Sequence, residues 1–243
     1  MKWYRKQNIY LILFTALLVG LGCKDAGTNS DRNLTINQQA AIQYFKDIAL
    51  GFEFGNSSEV TRKWAYDVRI FVAGEPSQVL LNELEDVLSD LNNLIPDTEI
   101  QLSLTDESAD SNMLLFFGEG EDFVQLDNRA ANQVDSNFGL FFVRFNPLNY
   151  ITSASVFVDT VRATEIQQRH LLREELTQAL GMAKDSSLLP DSIFQQSFST
   201  VVTEYNKFDE AVIRMLYHPK MRTGLNAAGV DPILREIVQE VIE

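Results

Sequence analysis

Cysteine is all but missing from this chain. Cys23 is the only one in 243 residues, so no disulfide can close within the chain and no thiolate metal site can be built. Histidine is almost as scarce: His170 and His218 are the only two, which leaves little choice of imidazole for a metal site or a general base. There is no Gly-x-Ser-x-Gly elbow and no glycine-rich phosphate loop, so the sequence offers neither a serine-hydrolase nucleophile nor a nucleotide cradle. Basic residues are outnumbered, 20 Lys and Arg against 34 Asp and Glu, for a formal charge of -14. A surface that acidic repels phosphate backbones and argues against nucleic acid as a partner. Hydrophobic runs long enough to suggest a membrane span are also missing, apart from one short run near the start.

That run has a specific outline. Residues 1–8 are basic and polar, Ile9 to Val19 are mainly apolar, and small residues lead to Cys23. Eleven residues are too few for a permanent span but match the apolar core of a signal peptide. Val19-Gly20-Leu21-Gly22-Cys23 resembles a bacterial lipobox, with Gly22 as the small residue before the cut and Gly20 in place of the usual Leu. The expectation is a signal peptide over 1–22 and lipidation of Cys23, which would anchor the protein in a membrane of the bacterial cell envelope. Whether it would face the periplasm or the outer surface is left open. The polar stretch from Lys24 reads as a flexible tether, 23–34, ahead of a single domain over 35–243.

Apolar residues make up 45% of the chain and 16 are Phe, enough for a sizeable core. Thr35-Ile36-Asn37-Gln38 is a capping box opening a helix, and Ile36, Ala40, Tyr44, Phe45 and Ile48 follow at helical spacing. Val68, Ile70 and Val72 alternate as a strand; an apolar stripe from Val79 to Leu91 predicts a helix that stops at Pro96; Ile100, Leu102 and Leu104 alternate again. Met113 to Phe117 is a wholly apolar strand. Gly118-Glu119-Gly120-Glu121-Asp122 is read as a solvated acidic turn, since it lacks the spacing of a calcium loop. Leu140–Phe145 and Ser155–Val158 predict two paired strands joined through Asn146–Asn149.

From Thr164 the pattern becomes helical. A second capping box, Thr164 to Gln167, opens a helix whose expected left-handed stop is Gly181. Two more helices follow, one ending at Pro219 and one opened by Asp231-Pro232. The fold class expected from this order is α/β (α+β), with a mixed, mostly antiparallel sheet and helices packed on it.

The helix after Thr164 carries the chemistry-bearing residues. Zinc peptidases with an HExxH helix set two His one turn apart, so that both reach a metal, with Glu as general base. Against Glu174-Glu175-Leu176-Thr177-Gln178-Ala179-Leu180-Gly181, the motif's Glu falls on Glu175 and its Leu-Gly continuation on Leu180-Gly181. The two His positions hold Glu174 and Gln178. His170, Glu174 and Gln178 share one helix face at i, i+4 and i+8; a metal site would need them to converge with His218, with Glu175 as catalytic base. The plainer expectation is that Arg169, Arg173, Glu174 and Glu175 form ion pairs and that Gln178 caps or bonds a strand edge.

The stretches His170–Met182, Asp185-Ser186, Asp191–Phe194 and Ala211–Tyr217 with Pro219 resemble the bacterial family known as domain of unknown function 2927. Its members are largely inferred lipoproteins. The resemblance implies a zincin-like, metallopeptidase-like fold with a degenerate HExxH helix, and it brings no established activity. The resulting expectation is a lipid-anchored envelope protein whose domain serves binding or structure, with no cofactor, membrane contact through Cys23, and a protein or peptide partner left unidentified. The alternative is a divergent zinc-dependent hydrolase that uses Glu175.

Overall fold

The computed structural model describes residues 34–52, 57–96, 98–196 and 202–243. The expected leader, Cys23 and the tether as far as residue 33 lie outside the described residues. The elements run α1 (Ile36–Ala49), β1 (Lys63–Trp64), β2 (Val68–Gly74), α2 (Gln78–Leu94), β3 (Leu102–Leu104), β4 (Met113–Gly118), α3 (Gly120–Leu126), β5 (Gly139–Phe145), β6 (Tyr150–Asp159), α4 (Glu165–Gln178), α5 (Lys207–Tyr217) and α6 (Ala227–Val241).

The sheet corrects the expectation of mostly antiparallel pairing. Its order is β1-β6-β4-β2-β3, with β5 also on β6. The pairs β1–β6, β2–β3, β2–β4 and β4–β6 are all parallel, and only β5–β6 is antiparallel. The physical reason lies in the connections. Parallel neighbours need a crossover, and the long links through α2 and through α3 with β5 supply it; among the paired strands only β5 and β6 are joined by a short turn, at Asn146–Asn149, which forces them antiparallel. The apolar run Met113–Phe117 is the mark of a parallel strand covered on both faces. Leu115 and Phe117 enter the large core with residues of α1, α2, α4, α5 and α6, whereas Phe116 joins Phe123 of α3, Phe157 and Leu140 on the opposite face.

Both predicted capping boxes form, at Thr35 with Gln38 and at Thr164 with Gln167. Gly181 takes φ 115, and a Cβ there would overlap the Arg62 carbonyl oxygen, so the helix stop is also a point of close approach. Two local expectations fail. The acidic segment after Gly118 is not a turn but the start of α3, with Glu121 and Asp122 in its first turn, where carboxylates favour the helix dipole. The last helix opens not at Asp231-Pro232 but at Asn226, whose side chain accepts from the Gly229 amide, and Pro232 sits inside it.

Candidate functional site

Helix α4 carries a load of polar residues that solvent does not see. Every residue from His170 to Gln178 is buried, and buried polar groups require partners. On one side the partners come from α2. Arg169 Nε donates to Glu83 Oε2 at 2.7 Å, Arg173 donates to Glu83 Oε1 at 3.1 Å and to Asp90 Oδ2 at 2.7 Å. These ion pairs run between helices rather than within α4, and Glu83 is 3% exposed.

On the other side α4 faces a groove of about 820 Å³. His170, Glu174, Glu175 and Gln178 form its floor, strand β5 from Gly139 to Val143 with Phe145 forms a wall, and Asp185, Gln195 and Gln196 close the far side. The approach of β5 to α4 depends on Gly139. A Cβ there would lie 2.8 Å from Leu171 Cδ2 and 2.9 Å from Glu175 Cγ, and closer still to Glu175 Oε1.

The backbone of β5 faces this groove. Asp159 N donates to Phe138 O at 2.8 Å, which fixes the phase of the ladder: Leu140 and Phe142 bond to β6, while Gly139, Phe141 and Val143 point their N–H and C=O groups away from it. Arg129 donates to Val143 O at 3.3 Å. The Phe141 N–H and C=O and the Val143 N–H have no partner among the described residues. The Phe141 side chain is half-buried and packs toward the α4 side of the sheet.

The imidazole of His170 is held at both nitrogens. Nδ1 donates to the Val202 carbonyl at 2.6 Å, and Nε2 lies 3.3 Å from Glu174 Oε2. Burial pulls the His170 pKa down, but Glu174, the Val202 carbonyl and Asp185 outweigh it and leave it raised. Gln178 Nε2 donates to Asp185 Oδ1 at 2.7 Å. The segment carrying Gln195 is pinned from below: Asp209, at the N-terminus of α5, accepts from Ser192 Oγ at 2.7 Å, from Ile193 N at 3.2 Å and from Tyr44 Oη at 3.2 Å. Burial pushes the Asp209 carboxyl up to about 6, against those hydrogen bonds, which pull it down.

The structure therefore brings His170, Glu174, Glu175 and Gln178 together and leaves His218 out. His218 lies in another cavity with Arg214, Tyr217 and Glu240, its Nε2 3.3 Å from Glu240 Oε2. Zinc calls for three protein donors plus water, or four. His170 Nε2 and Glu174 offer two, with the Nδ1–carbonyl bond that orients a ligating imidazole. Gln178 is committed to Asp185, and among the described residues no group of three His, Asp or Glu is placed to hold a metal. The described residues do not fit a zinc centre.

Sequence reasoning missed the wall of the groove: Phe52, Arg129, Gly139, Phe141 and Gln196. One signal was readable, since a glycine opening an apolar strand marks close approach by another element. No curated protein matches this chain. The match of a family model over residues 38–236 bears out the resemblance carried by the α4 and α5 motifs, and the chain belongs to the family described as "Protein of unknown function (DUF2927)".

Proposed function

We propose that this is a lipid-anchored protein of the bacterial cell envelope whose domain binds an extended polypeptide segment along β5 without cutting it. One observation carries the binding half. The outward backbone groups of Phe141 and Val143 lie in a groove large enough for side chains, over a floor rich in hydrogen-bonding groups. An extended chain satisfies such an edge by adding a strand, its backbone supplying affinity and its alternate side chains specificity. The metallopeptidase-like helix then serves as a floor: Glu174 meets ligand groups, Gln178 and Asp185 hold one another, and Glu175 packs beneath Gly139. The envelope half rests on the leader and on Gly22-Cys23.

The test uses the full-length protein in mild detergent and a library of extended hexapeptides. Retained peptides should lose affinity at least tenfold when alternate backbone amides are N-methylated, and mass spectrometry should recover them intact. Binding indifferent to N-methylation would sink strand addition, and cleaved products would restore the Glu175 hydrolase. Cys23→Ala should release the protein from membranes into the soluble fraction; unchanged membrane association would contradict the anchor.

A further inference from the structure

Among the described residues only two arginines are buried, Arg62 and Arg173. Arg173 is neutralised by Glu83 and Asp90. Arg62, 3% exposed, has no carboxylate partner among the described residues, in a chain with 34 acidic residues. Its guanidinium donates to the Ser58 carbonyl at 3.1 Å, the Val60 carbonyl at 3.2 Å and the Ser58 hydroxyl at 3.2 Å, all neutral groups, and its Nε has no partner. A buried cation left without an anion is unfavourable, and burial accordingly lowers the Arg62 pKa.

The place of this cation is informative. Its Cζ lies 5.0 Å from the Phe52 ring centre and 4.4 Å from that of Phe145. Phe52, Phe145 and Ser57 all line the groove. This cation, which meets no carboxylate among the described residues, thus stands against the faces of two rings in the wall at the Phe145 end of β5. Arg129, which reaches the Val143 carbonyl, lines the groove nearby. The charge of Arg129 is already matched by Asp127, so at this end of the groove the arginine without a carboxylate partner among the described residues is Arg62.

We propose that the Phe52–Phe145 end of the groove receives the C-terminal carboxylate of the bound polypeptide, opposite Arg62, so that the ligand is the carboxy-terminal segment of a partner protein and runs parallel to β5. This rests on the strand-addition reading and adds to it a direction and an end. From Gly139 to Phe145 the strand spans roughly 20 Å, the reach of about six extended residues. A carboxylate at the far end would lie in the positive field that Arg62 projects through the Phe52 and Phe145 rings, whereas an internal segment would place a neutral amide there and gain nothing from that field.

The test compares each retained hexapeptide as free acid and as C-terminal amide on the full-length protein. The free acid should bind at least tenfold tighter at low salt, and Arg62→Gln should erase that preference while leaving the amide's affinity within about twofold. Should Arg62→Gln fail to fold, a photo-cross-linker on the ligand's penultimate residue decides the same point in the wild type. Cross-links should map to Phe52, Ser57 or Phe145; cross-links at Phe138 or Gly139 would overturn the direction. Equal affinity of acid and amide would overturn the carboxylate subsite while leaving strand addition standing. Retention of no hexapeptide in either form would instead remove the strand-addition reading, and this inference with it.

Discussion

Gly139→Ala is the sharpest probe of how β5 is seated on α4. Gly139 does not have a positive φ, so an alanine would meet no backbone strain there. In an open strand the change would be favourable by about 0.5–1 kcal/mol, through the lost freedom of the unfolded chain. Here the added methyl would sit 2.8 Å from Leu171 Cδ2 and 2.9 Å from Glu175 Cγ, well inside ordinary contact. Overpacking of that kind costs about 1–3 kcal/mol. The net expectation is a loss of roughly 0.5–2 kcal/mol, which lowers Tm by about 1–8 °C in a domain of this size. Two of the three close atoms belong to Glu175, so Glu175→Ala should relieve much of the clash. In a double-mutant cycle followed by circular dichroism, the pair should be less destabilised than the sum of the singles by about 1 kcal/mol. A stabilising Gly139→Ala, or strictly additive effects, would refute the claimed contact.

Asp209 makes a separable prediction about pH. Its folded pKa of about 6 lies above the ordinary 3.8, so the folded state holds this proton more tightly. As pH rises from about 4 to 6 the unfolded chain releases its proton first, and this group's contribution to stability falls by up to ~3 kcal/mol. Urea titrations at pH 4, 5, 6 and 7 should show that fall flattened in Asp209→Asn; identical slopes in both proteins would contradict it. Glu83→Ala should cost about 3–5 kcal/mol, because it strips Arg173 of a partner in a buried position, and an unchanged urea midpoint would sink the claim. Zinc added to protein purified without chelator should bind substoichiometrically and equally in wild type and His170→Ala, as measured by metal analysis. One equivalent lost on His170→Ala would show that a third donor assembles at the groove.

Much of the architecture could be read from local pattern, because the signals were local. Thr35 with Gln38 and Thr164 with Gln167 declare their helix starts within four residues, and Gly181 declares a stop. Strand direction was harder, because it depends on which strands pair. Val68–Val72 and Leu102–Leu104 look the same in sequence whether they run parallel or antiparallel, and only the crossover through α2 decides between them. The wholly apolar Met113–Phe117 did carry a parallel-sheet signal, obscured by the alternation in neighbouring strands. At α3, Gly118 and Gly120 looked like turn residues, but Phe123 sits with Phe116 and Phe157 in the small core and holds the segment helical.

The helix α4 illustrates why spacing alone does not decide chemistry. His170 and Glu174 meet as their i, i+4 positions require, with Nε2 and Oε2 3.3 Å apart. A metal centre also needs a donor from a second element, and no period within α4 can supply one. His218 was the only other histidine, and it follows α5, where it turns toward Glu240 of α6 instead. The groove took its second wall from β5, whose contribution is mainly backbone and leaves little mark in the sequence beyond the glycine that opens the strand. A site built from N–H and C=O groups is written in the register of β5 on β6 and in the absence of a neighbour beyond it among the described residues. Those are tertiary facts, so the polar helix was found first and the edge that gives it a use emerged only with the fold.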